Sequence, residues 1–455
     1  MSTIKKLAIQ GTIWTVIGYG SSLAIRFGSN LILTRLLVPE FFGLMALINV
    51  FIMGLHLFSD VGIGFSIVQN KRGDEPDFLN TAWTIQILRA VGIWLICLLL
   101  SYPVSVIYKI PELMWLLPAA ASTTLIGGFA STSLPNLERH MAVRKLMIFD
   151  LAVQTIGVLV MLVWAWLSRN ETGHGSIWAL IGGSLASEII KTVWSHWLIP
   201  GHRNHLAWNQ ASLKELLSVG QWVFLSTALT FLAEQSDRLL LGKLLSLEML
   251  GIYGIALTLS DLPRQFTLTL CSKVMFPAVS KFVDLPRKEF RSKILMSRRI
   301  LLAVLILGIG LLIGFGDLLV LVLYDKRYVA AAWMLPILAL GIWPRLICAT
   351  IEPALFALGR FQYMAYGNLF RLIVTFAGIL VGFALLGVPG AIIAVALNDC
   401  LYYISVNYGL CREGVGCLGQ DSMATALLLG MVAVIVAGRM MTGLGTPLDG
   451  LIMPG

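Results

Sequence analysis

Four arginines, Arg26, Arg89, Arg345 and Arg371, stand inside long apolar runs, and none has an acidic residue within four positions. At a rise of ~1.5 Å per residue, Arg26 lies ~15 residues into its run, Arg89 ~9, Arg345 ~13 and Arg371 ~10, so all four sit far from the ends. A fifth, Arg264, follows Asp261 by one turn. Guanidinium stays charged at any physiological pH, and its planar fork of donors matches phosphate oxygens. Holding such a group in an apolar medium costs ~2.5–3.5 kcal/mol even on a lenient insertion scale. These arginines are therefore candidates for a cationic cavity that takes a phosphorylated ligand. Arg264 also has a simpler reading, because i,i+3 partners meet on one helix face and Asp261 can neutralise it locally.

Three acids are candidates for binding a proton or sodium ion. Asp60 heads Asp60-Val61-Gly62-Ile63-Gly64, where two glycines loosen a helix. Glu352 precedes Pro353, which disfavours helical backbone at position 352. A carboxylate beside a broken helix suits a coupling ion; the competing role is a hydrogen-bonded structural acid. Asp399 is the third candidate, isolated at mid-depth. Glu234, Asp237 and Arg238 read as a packed polar cluster at the outer rim, Glu188 and Lys191 as an i,i+3 pair, and His56 as a histidine packed without a role. Glu40 and Glu248 belong to turns.

The elements that position these groups follow from composition. The chain has 455 residues, 58% hydrophobic and 13% charged, where a soluble chain carries about 25% charge. Mean hydropathy is +0.85. One aqueous core cannot bury so much apolar surface, so lipid is part of the solvent. The fold class expected is an all-α integral membrane protein, since open strands leave their backbone unsatisfied in lipid. Thirteen transmembrane helices are expected near residues 11–36, 41–69, 81–107, 114–136, 146–168, 177–199, 215–241, 250–279, 300–324, 332–357, 363–386, 388–410 and 422–441. Lys5 and Lys6 precede an apolar stretch too long for a signal peptide, with no small-residue cleavage site, so it reads as the first span.

With the N-terminus cytoplasmic, inner loops hold about 18 Lys and Arg and outer loops about 7. The net charge of +9 is thus topological, and nucleic acid is not expected as a partner. Lys281 to Arg299 is the clearest inner loop. Six scattered cysteines form no CxxC pattern, so neither a metal site nor a disulfide framework is expected. GxSxG, Walker, HExxH and βαβ GxGxxG motifs are missing from the sequence, which argues against an enzyme and against a bound cofactor.

The chain also repeats itself. Leu33-Thr34-Arg35-Leu36-Leu37-Val38-Pro39-Glu40-Phe41-Phe42-Gly43-Leu44 returns about two hundred residues later as Leu241-Gly242-Lys243-Leu244-Leu245-Ser246-Leu247-Glu248-Met249-Leu250-Gly251-Ile252. Trp14 returns as Trp222 in the same register, Trp115-Leu116-Leu117-Pro118 as Trp333-Met334-Leu335-Pro336, and Pro135 as Pro353. Six spans per repeat is an even number, so the repeats are parallel, and such repeats place a cavity at their junction and rock about it. The expected organisation is an N-lobe over 1–200, a cytoplasmic linker over 201–214, a C-lobe over 215–410, and an extra C-terminal helix and tail over 411–455.

Thr34-Arg35-Leu36-Leu37-Val38-Pro39-Glu40-Phe41-Phe42-Gly43-Leu44 and Phe58-Ser59-Asp60-Val61-Gly62-Ile63-Gly64-Phe65-Ser66-Ile67-Val68-Gln69 resemble the bacterial polysaccharide transporter family. That family holds O-antigen and exopolysaccharide repeat-unit flippases, in one superfamily with multidrug–cation antiporters and the lipid II flippase. The resemblance implies two six-helix lobes around a central cationic cavity. It implies an inner-membrane protein that moves an undecaprenyl-pyrophosphate-linked oligosaccharide to the outer leaflet, in association with polymerase and export machinery. Many members have fourteen spans, one more than this sequence suggests. The rival readings are a cation-coupled multidrug or metabolite antiporter, for which an acid-lined pocket is expected, and a membrane glycan polymerase or ligase, for which large catalytic loops are expected.

Overall fold

The structure is a computed structural model. It describes residues 2–59, 63–69, 72–140, 142–169, 174–199, 204–210, 212–213, 231–271 and 275–452. Every regular element among them is helical. The chain separates into two compact units, Met1–Ala228 and Leu229–Gly455. The first carries α1 (Ser2–Leu36), α2 (Pro39–Phe58), α3 (Ile63–Gln69), α4 (Pro76–Tyr108), α5 (Leu113–Gly128), α6 (Ser133–Arg139), α7 (Val143–Leu167) and α8 (Trp178–Ser195). The described part of the second opens with helical residues 231–244, here α9. It continues with α10 (Leu247–Leu270), α11 (Phe276–Ser280), α12 (Arg287–Leu323), α13 (Ala330–Gly341), α14 (Trp343–Ala357), α15 (Gln362–Arg412), α16 (Leu418–Met441) and α17 (Asp449–Ile452).

The duplicated segment folds alike in both units. In the first, the Leu37 amide donates to the Leu33 carbonyl at 2.8 Å, Val38 turns extended, and Pro39 opens α2 where its missing N–H is not needed. In the second, the Leu245 amide donates to the Leu241 carbonyl at 2.8 Å and Ser246 turns extended. The Ser246 hydroxyl then caps α10 by accepting from the Met249 amide at 3.2 Å. Glu40 and Glu248 each fall in a first turn, where the helix dipole favours a carboxylate.

By length and apolarity seven of the described helices can cross a membrane, or eight if a bent pair counts as one span. With outward-facing aliphatics such as Leu99, Ile300 and Val322, this is a multi-pass membrane protein. The thirteen spans expected are not all matched; residues 214–230, much of the expected seventh, lie outside the described residues. Several expected spans are broken. Residues 114–136 divide into α5 and α6, bent by 60°. Residues 332–357 divide into α13 and α14, with Pro344 in the first turn of α14. The break in α15 falls at Gly387 (φ 64°, ψ −142°), between the two expected spans 363–386 and 388–410. No residue with a Cβ adopts that backbone easily.

The basic stretch expected as a loop before residue 300 is instead helical from Arg287. Its Arg298 is fully buried and donates to Asp421 at 2.6 Å and to the Thr350 hydroxyl at 2.8 Å. Near the other end of α12, Asp317 takes two bonds from Arg439, both at 2.6 Å. These pairs fasten α16 to α12 although α16 is otherwise peripheral, with only 17% of its most apolar stretch buried inside the protein. The same measure is 83% for α13–α14, the innermost part of the second unit.

Candidate functional site

Each unit contains a polar cavity of its own. In the first unit α4 and α5 pack very closely: a Cβ on Gly128 would lie 2.2 Å from the Ala90 Cβ, so only glycine fits there. The Gln86 amide on α4 thereby reaches the carbonyls of Gly128 at 3.0 Å and Ala130 at 3.1 Å, which satisfies backbone acceptors where α5 bends toward α6. One turn farther along α4, Arg89 donates from Nε to the Ser59 hydroxyl at 3.0 Å, and from Nη2 to His56 Nδ1 at 3.1 Å and the His56 carbonyl at 3.3 Å. His56 Nε2 lies 3.0 Å from the Thr124 hydroxyl on α5.

His56, Gln86, Arg89 and Thr124 line a cavity of about 430 Å³, closed on another side by Glu188 and Lys191 of α8, paired at 3.2 Å. Among the cavity's described lining residues two cations, Arg89 and Lys191, face one anion, Glu188. Chemically it offers guanidinium, ammonium, hydroxyl and amide donors at one place, a set suited to phosphate or sugar oxygens.

In the second unit a smaller cavity of about 160 Å³ lies among α9, α10, α13 and α15. Three guanidinium groups (Arg238, Arg264, Arg371) face four carboxylates (Glu234, Asp237, Asp261, Asp399). Arg264 Nε lies 2.5 Å from Asp261 Oδ1, and Nη1 lies 3.5 Å from Glu234 Oε1. Arg371 Nε lies 3.0 Å from Asp399 Oδ1, close enough for an ion pair. The two are not aligned as a hydrogen bond, and both atoms are left without a hydrogen-bond partner, as are Arg371 Nη1 and Asp237 Oδ1. The Tyr253 hydroxyl donates to the other Asp237 oxygen at 2.5 Å. A cluster of unmet acceptors and donors around a small polar void suits water or a small cation.

The sequence candidates are thus distributed. Arg89 lines the first cavity; Arg264, Arg371 and Asp399 line the second. Arg345 and Glu352 form a separate buried pair on α14 at 3.2 Å, with the Tyr402 hydroxyl donating to the same Glu352 oxygen at 2.7 Å. Arg26 is on an exposed face of α1 and lines neither cavity. Asp60 lies outside the described residues.

Three sequence readings are corrected. The missing acids of Arg345 and Arg371 exist, seven and twenty-eight positions away, because two turns of helix, or the far arm of α15 beyond its break at Gly387, supplies what a four-residue window misses. Glu352 stays helical despite Pro353, and the break falls instead at Ile342, between α13 and α14, since a Pro restricts its predecessor without excluding helix there. Glu234 and Asp237 face a cavity with Asp399 rather than a closed rim cluster. His56, Gln86 and Thr124 were missed, because lone polar residues in an apolar run carry no pattern; the His56–Arg89 contact is between helices and has no spacing in sequence.

The polysaccharide biosynthesis protein family matches residues 32–332. Among curated proteins, the chain is 22% identical over 400 residues to the succinoglycan biosynthesis transport protein ExoT of Rhizobium meliloti (strain 1021), covering 85% of this chain and 76% of that protein. It is 20% identical over 282 residues to the lipopolysaccharide biosynthesis protein WzxC of Escherichia coli (strain K12), covering 62% of this chain and 56% of that one. Among solved structures, the inward closed lipid II flippase MurJ superposes with a TM-score of 0.68 at 12% identity, covering 95% and 93% of the two chains. An inward-facing multidrug resistance MATE transporter of the MOP superfamily gives 0.66 at 12%, covering 89% and 95%. Likeness at that identity establishes the fold, and the match over residues 32–332 establishes the kinship: this chain belongs to the polysaccharide biosynthesis protein family.

Proposed function

We propose that the chain is a transporter, not an enzyme, that flips an oligosaccharide repeat unit linked to undecaprenyl pyrophosphate from the inner to the outer leaflet of the bacterial cytoplasmic membrane, by alternating access. The observation that supports this reading most is a donor-rich cavity, with Arg89 and Lys191 among its described lining, inside a member of a polysaccharide biosynthesis family. Each sugar hydroxyl costs ~4–8 kcal/mol to move unpaired into hydrocarbon, so the glycan needs a polar path while the prenyl tail stays in lipid. Two negative charges leaving an inside-negative cell release ~4–5 kcal/mol per 100 mV, enough to favour export. Arg89 is the first pyrophosphate contact; Arg26, Arg264, Arg345 and Arg371 are further contacts along the path. Asp399 and Glu352, with Asp60, exchange the coupling ion. The N-terminus is cytoplasmic, and a polysaccharide polymerase or export complex receives the product.

Deletion of the gene is expected to accumulate the lipid-linked glycan on the inner leaflet, with reversal by wild type but not by Arg89→Ala. Normal export in the Arg89→Ala strain removes the cavity from the mechanism. A second reading, a cation-coupled multidrug or metabolite antiporter, is favoured by the four carboxylates of the second cavity. Drug efflux by the purified protein without glycan-lipid binding would select it.

A further inference from the structure

Adjacent arginines on α12 have opposite surroundings. Arg298 is fully buried and paired with Asp421. Arg299 is exposed and makes no hydrogen bond or ion pair with any described residue. It is also the last charge on α12 before Asp317, since positions 300–316 carry none. A guanidinium at the start of such a stretch sits where hydrocarbon meets headgroups, its stem along the apolar surface and its charge in the polar layer.

Arg299 stands at one end of a groove of about 490 Å³ between α12 and α16, and it lines neither of the polar cavities. From Arg299 the groove follows α12 to Ile306, ~10 Å farther along the axis. Leu302 and Ala424 form a buried floor, and Met423 and Leu427 on α16 remain more than half exposed beside it. Small residues, Ala303 on one helix and Gly419 on the other, keep it concave; a Cβ added at Gly419 would meet nothing within 4 Å. The other polar lining residue, Gln420, is already engaged: its amide donates to the Leu295 carbonyl at 2.9 Å, and its oxygen accepts from Arg298 at 3.4 Å. The groove therefore presents one uncommitted cation above an apolar trough.

The charges around it agree in sign. Lys288, Arg291, Leu295, Arg299, Leu302 and Ile306 recur three or four positions apart and share one stripe of α12. The stripe carries no acid, and beyond Arg299 it is aliphatic. Of the carboxylates on the facing segments, Asp421 is taken by Arg298, and Glu413 by Arg360 at 2.8 Å and Arg287 at 3.9 Å. Neither is left to neutralise Arg299. Basic groups between membrane helices at the interface select anionic headgroups.

We propose that this groove is a binding site for an anionic phospholipid of the leaflet at the basic end of α12: the phosphodiester sits on Arg299, and one acyl chain lies in the trough between α12 and α16. One guanidinium matches one phosphodiester, and the trough descends toward the hydrocarbon as an acyl chain does. The site lies apart from the cavities assigned to transport and does not depend on the identity of the transported molecule.

The test is native mass spectrometry of the full chain, purified and delipidated in detergent, then titrated with phosphatidylglycerol or with phosphatidylcholine of the same acyl chains. Wild type is expected to hold its first phosphatidylglycerol about fivefold more tightly than phosphatidylcholine, the effect of one basic group on an anionic lipid. Arg299→Gln is expected to bind the two lipids equally. Gly419→Leu, which fills the trough and leaves the guanidinium, is expected to weaken the first binding event for both. Wild type without a preference for phosphatidylglycerol overturns the proposal, whether or not the variants fold. A preference that survives unchanged in Arg299→Gln also overturns it. Displacement of phosphatidylglycerol from wild type by equimolar geranyl pyrophosphate overturns it as well, by assigning the groove to the prenyl carrier.

Discussion

Arg345 and Glu352 stand seven residues apart on α14, with Nη1 and Oε1 3.2 Å from each other. Tyr402 completes the unit: its hydroxyl donates to that oxygen, and its ring lies 4.0 Å from the guanidinium carbon. All three are buried. Removing one member of a buried pair strands the other charge, which costs about 3–5 kcal/mol. Glu352→Ala is therefore expected to lower the melting temperature of the purified protein markedly, and Glu352→Gln, which keeps an acceptor for Tyr402, to lower it less. Equal melting of Glu352→Ala and wild type would mean that the Tyr402–Glu352 bond does not hold α15 to α14.

The Arg298–Asp421 pair allows a cleaner dissection, because both side chains are fully buried and join different helices. Asp421→Ala alone is expected to destabilise by about 3–5 kcal/mol, whereas replacing both partners with leucine and methionine is expected to come close to neutral. The measurement is denaturation of the single and double variants in one detergent. A double variant as damaged as the single would show that Thr350 and Tyr403, which also bond to the pair, depend on it.

Gly387 has open space around its Cα, so an added methyl clashes with nothing. Its backbone conformation alone makes Gly387→Ala unfavourable, by about 1–3 kcal/mol. The expected readout is reduced thermal stability with the residues flanking the bend most affected in hydrogen exchange. Unchanged stability and exchange would show that α15 straightens at no penalty.

Outside the membrane, Asp74 joins the start of α4 to α6. Burial, the largest influence, works against its charge. Hydrogen bonds from Asn136 at 2.9 Å and Arg139 at 3.0 Å outweigh it and hold the carboxyl below its ordinary 3.8. A lowered carboxyl stabilises the fold above its unfolded value and ceases to do so as pH falls through its folded value. Hydrogen exchange around Asn136, taken relative to the intrinsic rate at each pH, is therefore expected to be steady from neutral pH down to about pH 4 and to rise below it. Asp74→Asn should remove that rise; if the variant keeps it, another group is responsible. Because half of the side chain is exposed, the effect is local and small.

How far the sequence carried depends on what kind of pattern each feature leaves. Membrane class, helical content and the bend between 386 and 388 are carried by long runs of residue type, which survive reading one position at a time. So are the Glu188–Lys191 and Asp261–Arg264 pairs, since one helical turn is a fixed spacing. Arg298 was read as loop charge because it sits at the edge of an apolar run; its partner Asp421 is more than a hundred positions away, and only tertiary packing makes it buried. His56 escaped for the same reason. The second cavity shows the limit most plainly: arginine depth and the Asp261–Arg264 pair were legible, but Glu234 and Asp237 come from α9 and Asp399 from the far arm of α15, and no local window contains them together with Arg264 and Arg371.

The two clasps between α12 and α16 are spaced almost equally on both helices, from Arg298 to Asp317 and from Asp421 to Arg439. At a rise of ~1.5 Å per residue each spacing is ~28 Å, close to the ~30 Å hydrocarbon depth of a bilayer. The clasped pair therefore acts as a gauge of fixed height. Neither helix can slide along the other to follow a thicker or thinner membrane, so a mismatch is met by the two helices tilting as one or by the surrounding lipid. Whatever load a bilayer of unequal thickness puts on α12 is therefore carried by α16 as well.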